Sequence, residues 1–232
     1  MQNNISLTIN GKKVKSGYPK TVLEIARENG IFIPTLCFLK DKLDHSNCRI
    51  CTIKIDGYHY PSCSTIAKDG MNVISDSDDL EEMRKYITEL LFSTGNHICP
   101  ICQKSGDCEL QAIGYHYKLL FSRFEHLYPK KGIDTSSSDK IMMEKNRCIL
   151  CQRCIQAIKD DNGKPFFVLQ GRSNALEVIF DKDMNDKFTM EKARDAVKQC
   201  PVGCILIKEA NGFQTPIGLR QFDKVPIESN KK

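Results

Sequence analysis

The sequence predicts an α+β chain of small units, each held by its own group of metal-binding side chains. Three observations predict this. Short alternating apolar runs of the kind that make strands share each stretch with amphipathic helical runs. Twelve cysteines occur in 232 residues, a density that calls for disulfides, zinc or iron–sulfur clusters. They fall into three separate groups: Cys37, Cys48, Cys51 and Cys63; Cys99, Cys102 and Cys108; and Cys148, Cys151, Cys154, Cys200 and Cys204.

In residues 1–76, Ile5, Leu7 and Ile9 alternate with polar residues, and Asn10-Gly11 supplies the positive backbone angles of a tight hairpin turn. Thr21 and Glu24 form a capping box ahead of Val22, Leu23, Ile25 and Ala26, and Gly30 marks the helix end. The alternation in Thr52–Asp56 predicts a further strand, turned at Gly57. Residues 77–127 change period. Ser75 or Ser77 caps a helix with Leu80, Met83, Ile87, Leu90 and Leu91 on one face, and its early acidic residues suit the positive end of the helix dipole. That helix runs out near Gly95, and Cys108 opens another through Leu110, Ile113 and Tyr117. Tyr128–Lys140, with Pro129, Gly132 and three serines, reads as a linker or surface loop. In residues 128–212, strands are expected at Phe166–Leu169, Ala175–Phe180 and Ile205–Ile207, and a helix at Met190–Gln199. Residues 213–232, with Pro216 and Pro226, predict an extended tail.

Composition narrows the function. At 41% hydrophobic and 27% charged residues, the chain suits two or three small domains, which excludes a barrel-sized catalytic scaffold. The net charge of +5 is spread along the chain rather than gathered in a block, so no nucleic-acid partner is expected. The N-terminus lacks a basic segment followed by an apolar run, and no run approaches the roughly 18 apolar residues of a membrane span. A cytoplasmic location follows as an expectation. There thiols stay reduced, which favours metal over disulfides.

The first group offers four soft anionic ligands, Cys37, Cys48, Cys51 and Cys63, and spacing alone does not separate zinc from a two-iron, two-sulfide cluster. The third group is more informative. Cys148, Cys151 and Cys154 match the start of a bacterial ferredoxin run and Cys200-Pro201 its end, but Ile158, Met190, Ala193 and Ala196 stand where a second cluster's cysteines would be. One four-iron cluster should therefore survive, on Cys148, Cys151, Cys154 and Cys200. Cys204 then reads as a small buried apolar residue or as a substitute for Cys200. The middle group has three cysteines and needs a fourth donor, for which His97 is the nearest candidate. Imidazole replaces thiolate on iron in Rieske centres. His45, His59, His116 and His126 read as structural.

Taken in order, these motifs resemble the N-terminal iron–sulfur region of the large respiratory complex I subunit. They run from Cys37 to Cys63, then through His97-Ile-Cys99-Pro-Ile-Cys102 and Cys108-Glu-Leu-Gln111, then Arg147-Cys148 to Cys200-Pro-Val-Gly203. Within that superfamily the chain is similar to the HoxU-type diaphorase iron–sulfur subunits of soluble NAD-reducing nickel–iron hydrogenases. One residue between His97 and Cys99, and the tail around Thr215–Arg220, carry the likeness to that branch. The resemblance implies a β-grasp domain with one [2Fe–2S] cluster, a small helical domain whose histidine and three cysteines hold one [4Fe–4S] cluster, a bacterial-ferredoxin-like domain with a second [4Fe–4S] cluster, and the tail. It implies electron transfer without bond chemistry on this chain. FMN and NAD would lie on a diaphorase partner subunit, and the small and large subunits of a [NiFe] hydrogenase would be the other partners. A formate dehydrogenase, an iron-only hydrogenase or another complex I-like assembly is the alternative host. No glycine-rich dinucleotide fingerprint places NAD on this chain.

Overall fold

The computed structural model describes residues 4–40, 42, 46–127, 131–209 and 212–213. The expected hairpin opens the chain as β1 (Asn4–Ile9) and β2 (Lys12–Gly17). Asn10 and Gly11 both take positive φ between them, the geometry a two-residue turn needs to follow strand twist. Helix α1 (Val22–Glu28) begins at the foreseen capping box: Thr21 Oγ1 accepts from Glu24 N–H, and the Glu24 carboxylate accepts from Thr21 N–H. Strands β3 (Thr52–Ile55), β4 (Tyr58–Pro61) and β5 (Asn72–Ile74) complete a mixed sheet of order β2-β1-β5-β3-β4. β4 and β5 are absent from the sequence expectation. β4 lies on the sheet edge with Tyr58, His59 and Tyr60 exposed, so no apolar alternation announces it. Ile5, Leu7 and Ile9 meet Leu23, Ile25, Ile53 and Val73 in the core beneath this sheet.

Helix α2 (Asp78–Ser93) starts after Ser77, whose hydroxyl donates to Asp79 instead of accepting from the helix. Of the predicted apolar face, Leu80 is fully buried and Ile87 and Leu91 pack on the core, whereas Leu90 is 44% exposed. Arg84, Thr88, Glu89 and Ser93 are buried on the same helix. Arg84 is buried because it serves the neighbouring sheet. Its Nε donates to Ile50 O at 3.2 Å, and its Nη2 donates to Thr52 O at 2.8 Å and Ser75 O at 3.0 Å. Helix α3 (Glu109–His116) follows with Cys108 as N-cap, its sulfur accepting from Gln111 N–H.

The stretch expected as linker contains β6 (Ile133–Asp134), paired antiparallel with β7 (Ile141–Glu144). β7 has four consecutive buried residues, so period-two alternation does not reveal it. Helix α4 (Arg153–Ala157), strands β8 (Phe167–Gln170) and β9 (Glu177–Phe180), helix α5 (Met190–Gln199), and strands β10 (Ile205–Glu209) and β11 (Gly212–Phe213) follow. A 3-10 turn over Ser173–Ala175 delays β9 relative to expectation. β7 lies between β6 and β10, and β8 pairs with β9. One core joins Leu110 and Ile113 of α3 with Phe166, Phe167, Phe180, Phe188 and Ala193, and reaches Leu36 and Ile50 in the first sheet's loops. The expected tail beyond residue 213 lies outside the described residues, as does His45. Among the described residues no helix is long and apolar enough to cross a membrane.

Candidate iron–sulfur sites

The first cysteine group sits on loops around β3 and β4. Cys37, Cys51 and Cys63 are almost fully buried, and Cys51 Sγ lies 3.2 Å from Cys63 Sγ. Hydrogen bonds from Cys48 and Cys63 hold the Cys37 thiol far below the usual thiol range. Sharing that contact pushes Cys48 well up, and contact with Cys63 draws Cys51 down. The four sulfurs are therefore joined in one run of contacts, Cys48 to Cys37 to Cys63 to Cys51.

The middle group lies between α2 and α3. A 3-10 turn at Cys99–Ile101 carries Cys99, with Cys102 just beyond, while Cys108 caps α3. Burial raises the Cys99 thiol and pushes Cys108 to about 12, with the charges of neighbouring cysteines adding to both. His97 lines the same cavity of about 350 Å³ as Cys99. Its ring meets Phe92 edge-on at 5.7 Å, and its Nε2 stands over Gly95, where a β-carbon would collide with it. Burial, with help from the nearby charges of Arg147 and His126, lowers His97 to about 4, so its imidazole is neutral, as metal ligation requires. His116 and His126 lie near this group: the His116 ring meets Phe32 at a tilt and Tyr117 edge-on, and His126 lines the cavity. His59 is on the exposed edge strand, 3.7 Å from Asp79.

The third group closes over one apolar cavity lined by Cys148, Cys151, Cys154, Cys200 and Cys204. Three of these come from the turn into α4 and two from the turn between α5 and β10. Leu150 and Gln152 take positive φ, which lets consecutive cysteines of Cys148–Cys154 face inward. Burial raises Cys151, Cys154 and Cys200. Cys204 is buried and hydrogen-bonds to the Cys148 thiol, which falls to about 7 while Cys204 rises.

The chemistry of this donor set fits iron–sulfur clusters. Buried thiols pushed upward cannot ionise alone, and a bound metal supplies the positive charge that stabilises thiolates there. Two guanidinium Nε–H groups, on Arg147 and Arg153, are buried beside these cysteines without an acceptor, as befits a site meant to hold sulfide and thiolate charge.

The groups also adjoin. Asn47 Nδ2, next to Cys48, donates to Leu150 O, next to Cys151, at 3.4 Å. Glu109 N–H, next to Cys108, donates to Pro201 O, next to Cys200, at 2.9 Å. A β-carbon on Gly203 would lie 2.8 Å from Cys102 Sγ. Arg147 Nη1 bridges Gln103 Oε1 at 2.6 Å and Gly203 O at 3.3 Å. The third group therefore touches both of the others. Arg153 escapes sequence reasoning, and Arg147 and Gly203 stand in the quoted motifs without a role of their own. The only signal for the two arginines is their position flanking cysteines.

Comparison with known proteins agrees with this arrangement. Residues 2–78 match the 2Fe-2S iron-sulfur cluster binding domain. Residues 84–123 match the NADH-ubiquinone oxidoreductase-G iron-sulfur binding region, and residues 138–206 the ferredoxin-like domain of NADH-quinone oxidoreductase subunit 3. The fold and sites define an iron–sulfur protein with one 2Fe-2S domain and two 4Fe-4S-binding domains. The chain is 39% identical to the NAD-reducing hydrogenase HoxS subunit gamma of Cupriavidus necator, over 95% of this chain and 94% of that subunit. A crystal structure of NAD+-reducing [NiFe]-hydrogenase in the H2-reduced state contains a similar chain, with TM-score 0.85, 34% identity and 98% of each chain covered. The NADP-reducing hydrogenase subunit HndD of Solidesulfovibrio fructosivorans is 33% identical over 96% of this chain, which spans 39% of that subunit. The chain belongs to the family of the HoxS gamma subunit, an iron–sulfur subunit family of NAD-reducing hydrogenases.

Proposed function

We propose that this chain is the electron-transfer iron–sulfur subunit of a cytoplasmic NAD-reducing nickel–iron hydrogenase, relaying electrons between the hydrogenase subunits and an FMN- and NADH-binding diaphorase subunit. Cys37, Cys48, Cys51 and Cys63 would hold the [2Fe–2S] cluster. His97, Cys99, Cys102 and Cys108 would hold one [4Fe–4S] cluster, and Cys148, Cys151, Cys154 and Cys200 the other. The working division of the chain is 1–76, 77–127, 128–212 and a tail from 213. When bound, such clusters take up and release single electrons with small structural change.

The chain's own residues position these groups and exclude water from them. Leu36 and Ile50, flanking the first group, pack in the same core as Cys154 and Cys200, so the loops are fixed against one another rather than tethered. The observation that carries the proposal is this continuity: backbone hydrogen bonds and side-chain bridges pass from the first group to the third and from the third to the second. A structural metal protein has no need of such contact between its sites.

The test is elemental analysis of the anaerobic complex recovered through a tag on this chain. About ten iron atoms per chain are expected from one two-iron and two four-iron clusters, with nickel and further iron from the partners. Molybdenum or tungsten without nickel would move the chain to a formate dehydrogenase. Zinc with little iron would overturn electron transfer altogether.

A further inference from the structure

The charged groups beside the cysteines are arranged with a direction. Arg153 lies between Cys151 and Cys154 at the start of α4, and it is 6% exposed. Its Nη1 and Nη2 donate to Glu109 Oε1 and Oε2 at 2.6 and 2.7 Å, a two-pronged pairing across 44 positions of sequence. Glu109 directly follows Cys108 and, through its backbone N–H, holds Pro201 next to Cys200. The cation of this pair is therefore carried between two cysteines of the third group and acts on Cys151, and the anion is carried by the residue that follows Cys108 of the second. The Nε–H of the same guanidinium is buried with no acceptor. Arg153 is also within electrostatic reach of Cys151 and Cys37, and Arg27, on the first unit, is within reach of Glu109, Arg153 and Cys51.

With Arg153 buried and Glu109 half-buried, the pair is a poor choice for stability alone, because desolvation of the guanidinium offsets much of its attraction. Its charges act on whatever lies beside them. An electron arriving in the third group adds negative charge next to a fixed cation, and one arriving in the second group adds it next to a fixed anion. Net charge and hydrogen bonds to sulfur are among the levers that set cluster potentials.

We propose that the Arg153–Glu109 pair is a built-in dipole that sets the two four-iron sites at different potentials, raising the one on Cys148–Cys200 and lowering the one on His97–Cys108. The inference rests on the three-cluster reading above. No bond forms or breaks, and each transfer moves one electron from one site to the next. The consequence is that an electron crossing the chain pauses at the third group, where the first and second units meet it.

The test is a redox titration of the intact anaerobic complex followed by electron paramagnetic resonance, with the third-group signal identified as the one lost in Cys200→Ala. Arg153→Gln should lower the third-group midpoint by a tenfold change in its one-electron equilibrium, about 59 mV, with a smaller fall at the first group. Arg153→Lys keeps the charge and should retain most of the wild-type value. Glu109→Gln should move potentials the opposite way, with the largest rise at the middle group. Opposite signs are the signature, because a merely structural pair would shift both variants alike or alter line shapes without an ordered change in potential. Unchanged third-group potential in Arg153→Gln at full iron content would overturn the proposal. Should that variant fail to assemble, shifts of the same sign in Arg153→Lys and Glu109→Gln would do so. Failure of the underlying reading looks different: the wild-type complex would itself lack iron in cluster quantity.

Discussion

Replace Arg84 by methionine and three backbone carbonyls lose a donor at once. Ile50 is 0% exposed, Thr52 6% and Ser75 2%, so water does not reach these carbonyls in the folded chain. Methionine keeps most of the volume and flexibility of the arginine stem, and the loss is therefore mainly polar. An unmet buried acceptor costs about 1–3 kcal/mol, and Glu81, which accepts from Arg84 Nη1 at 2.6 Å, also loses its partner. Three carbonyls at the lower part of that range give about 4 kcal/mol, inside the about 3–5 kcal/mol found when one partner of a buried charged network is removed. For a chain of this size each kcal/mol lowers the melting temperature by about 2–4 °C, so Arg84→Met should melt about 8–16 °C lower. Cys51 lies between Ile50 and Thr52, so visible cluster absorbance should bleach ahead of the helical signal. The assay is thermal unfolding of anaerobically purified chain by circular dichroism and visible absorbance together. Arg84→Lys should recover about half the loss, since an ammonium reaches fewer acceptors than the guanidinium fork. A fall of less than about 3 °C in Arg84→Met would refute the claim that this side chain fastens α2 to the first sheet.

Two further outcomes follow from the cysteine sites. Cys200→Ala should lose the iron of one four-iron cluster, whereas Cys204→Ala should keep that iron and shift the cluster's potential by loss of its contact with Cys148; the reverse pattern in iron analysis would make Cys204 the ligand. Gly95→Ala has no room, because its β-carbon would meet the His97 ring and lie 2.9 Å from Asn146 O. It should broaden or abolish the middle-cluster resonance while leaving the other two, and an unaltered middle signal would detach His97 from that site.

The parts of this fold that sequence reveals are those settled within a few residues. The Thr21 capping box, the Asn10-Gly11 turn and the α5 boundaries at Met190 and Gln199 all have local causes, and each is where local chemistry puts it. The cysteine groups are legible for the same reason, since metal ligation imposes short spacings on a single loop. What escapes is whatever depends on a distant segment. β7 is paired on both edges by β6 and β10 and buries four residues in succession, so its pattern shows no alternation. Arg84 looks like an ordinary surface residue of an amphipathic helix until the carbonyls of Ile50 and Thr52, more than thirty positions away, are brought against it.

The same logic explains why individual sites were easier to name than their connection. A ligand set needs only sulfurs at the right intervals, but a path for electrons needs one set held against the next, and every contact that does so here joins remote positions: Asn47 to Leu150, Gln103 to Arg147, Glu109 to Arg153. Of the bridging residues of the third unit, Arg147, Leu150 and Arg153 lie within or beside Cys148–Cys154, and Pro201 and Gly203 lie just after Cys200. Such residues are polar or apolar without pattern, and their role depends on which sulfur stands opposite. The third group occupies the middle of these contacts although it comes last in the chain, so order along the sequence is no guide to order along the wire.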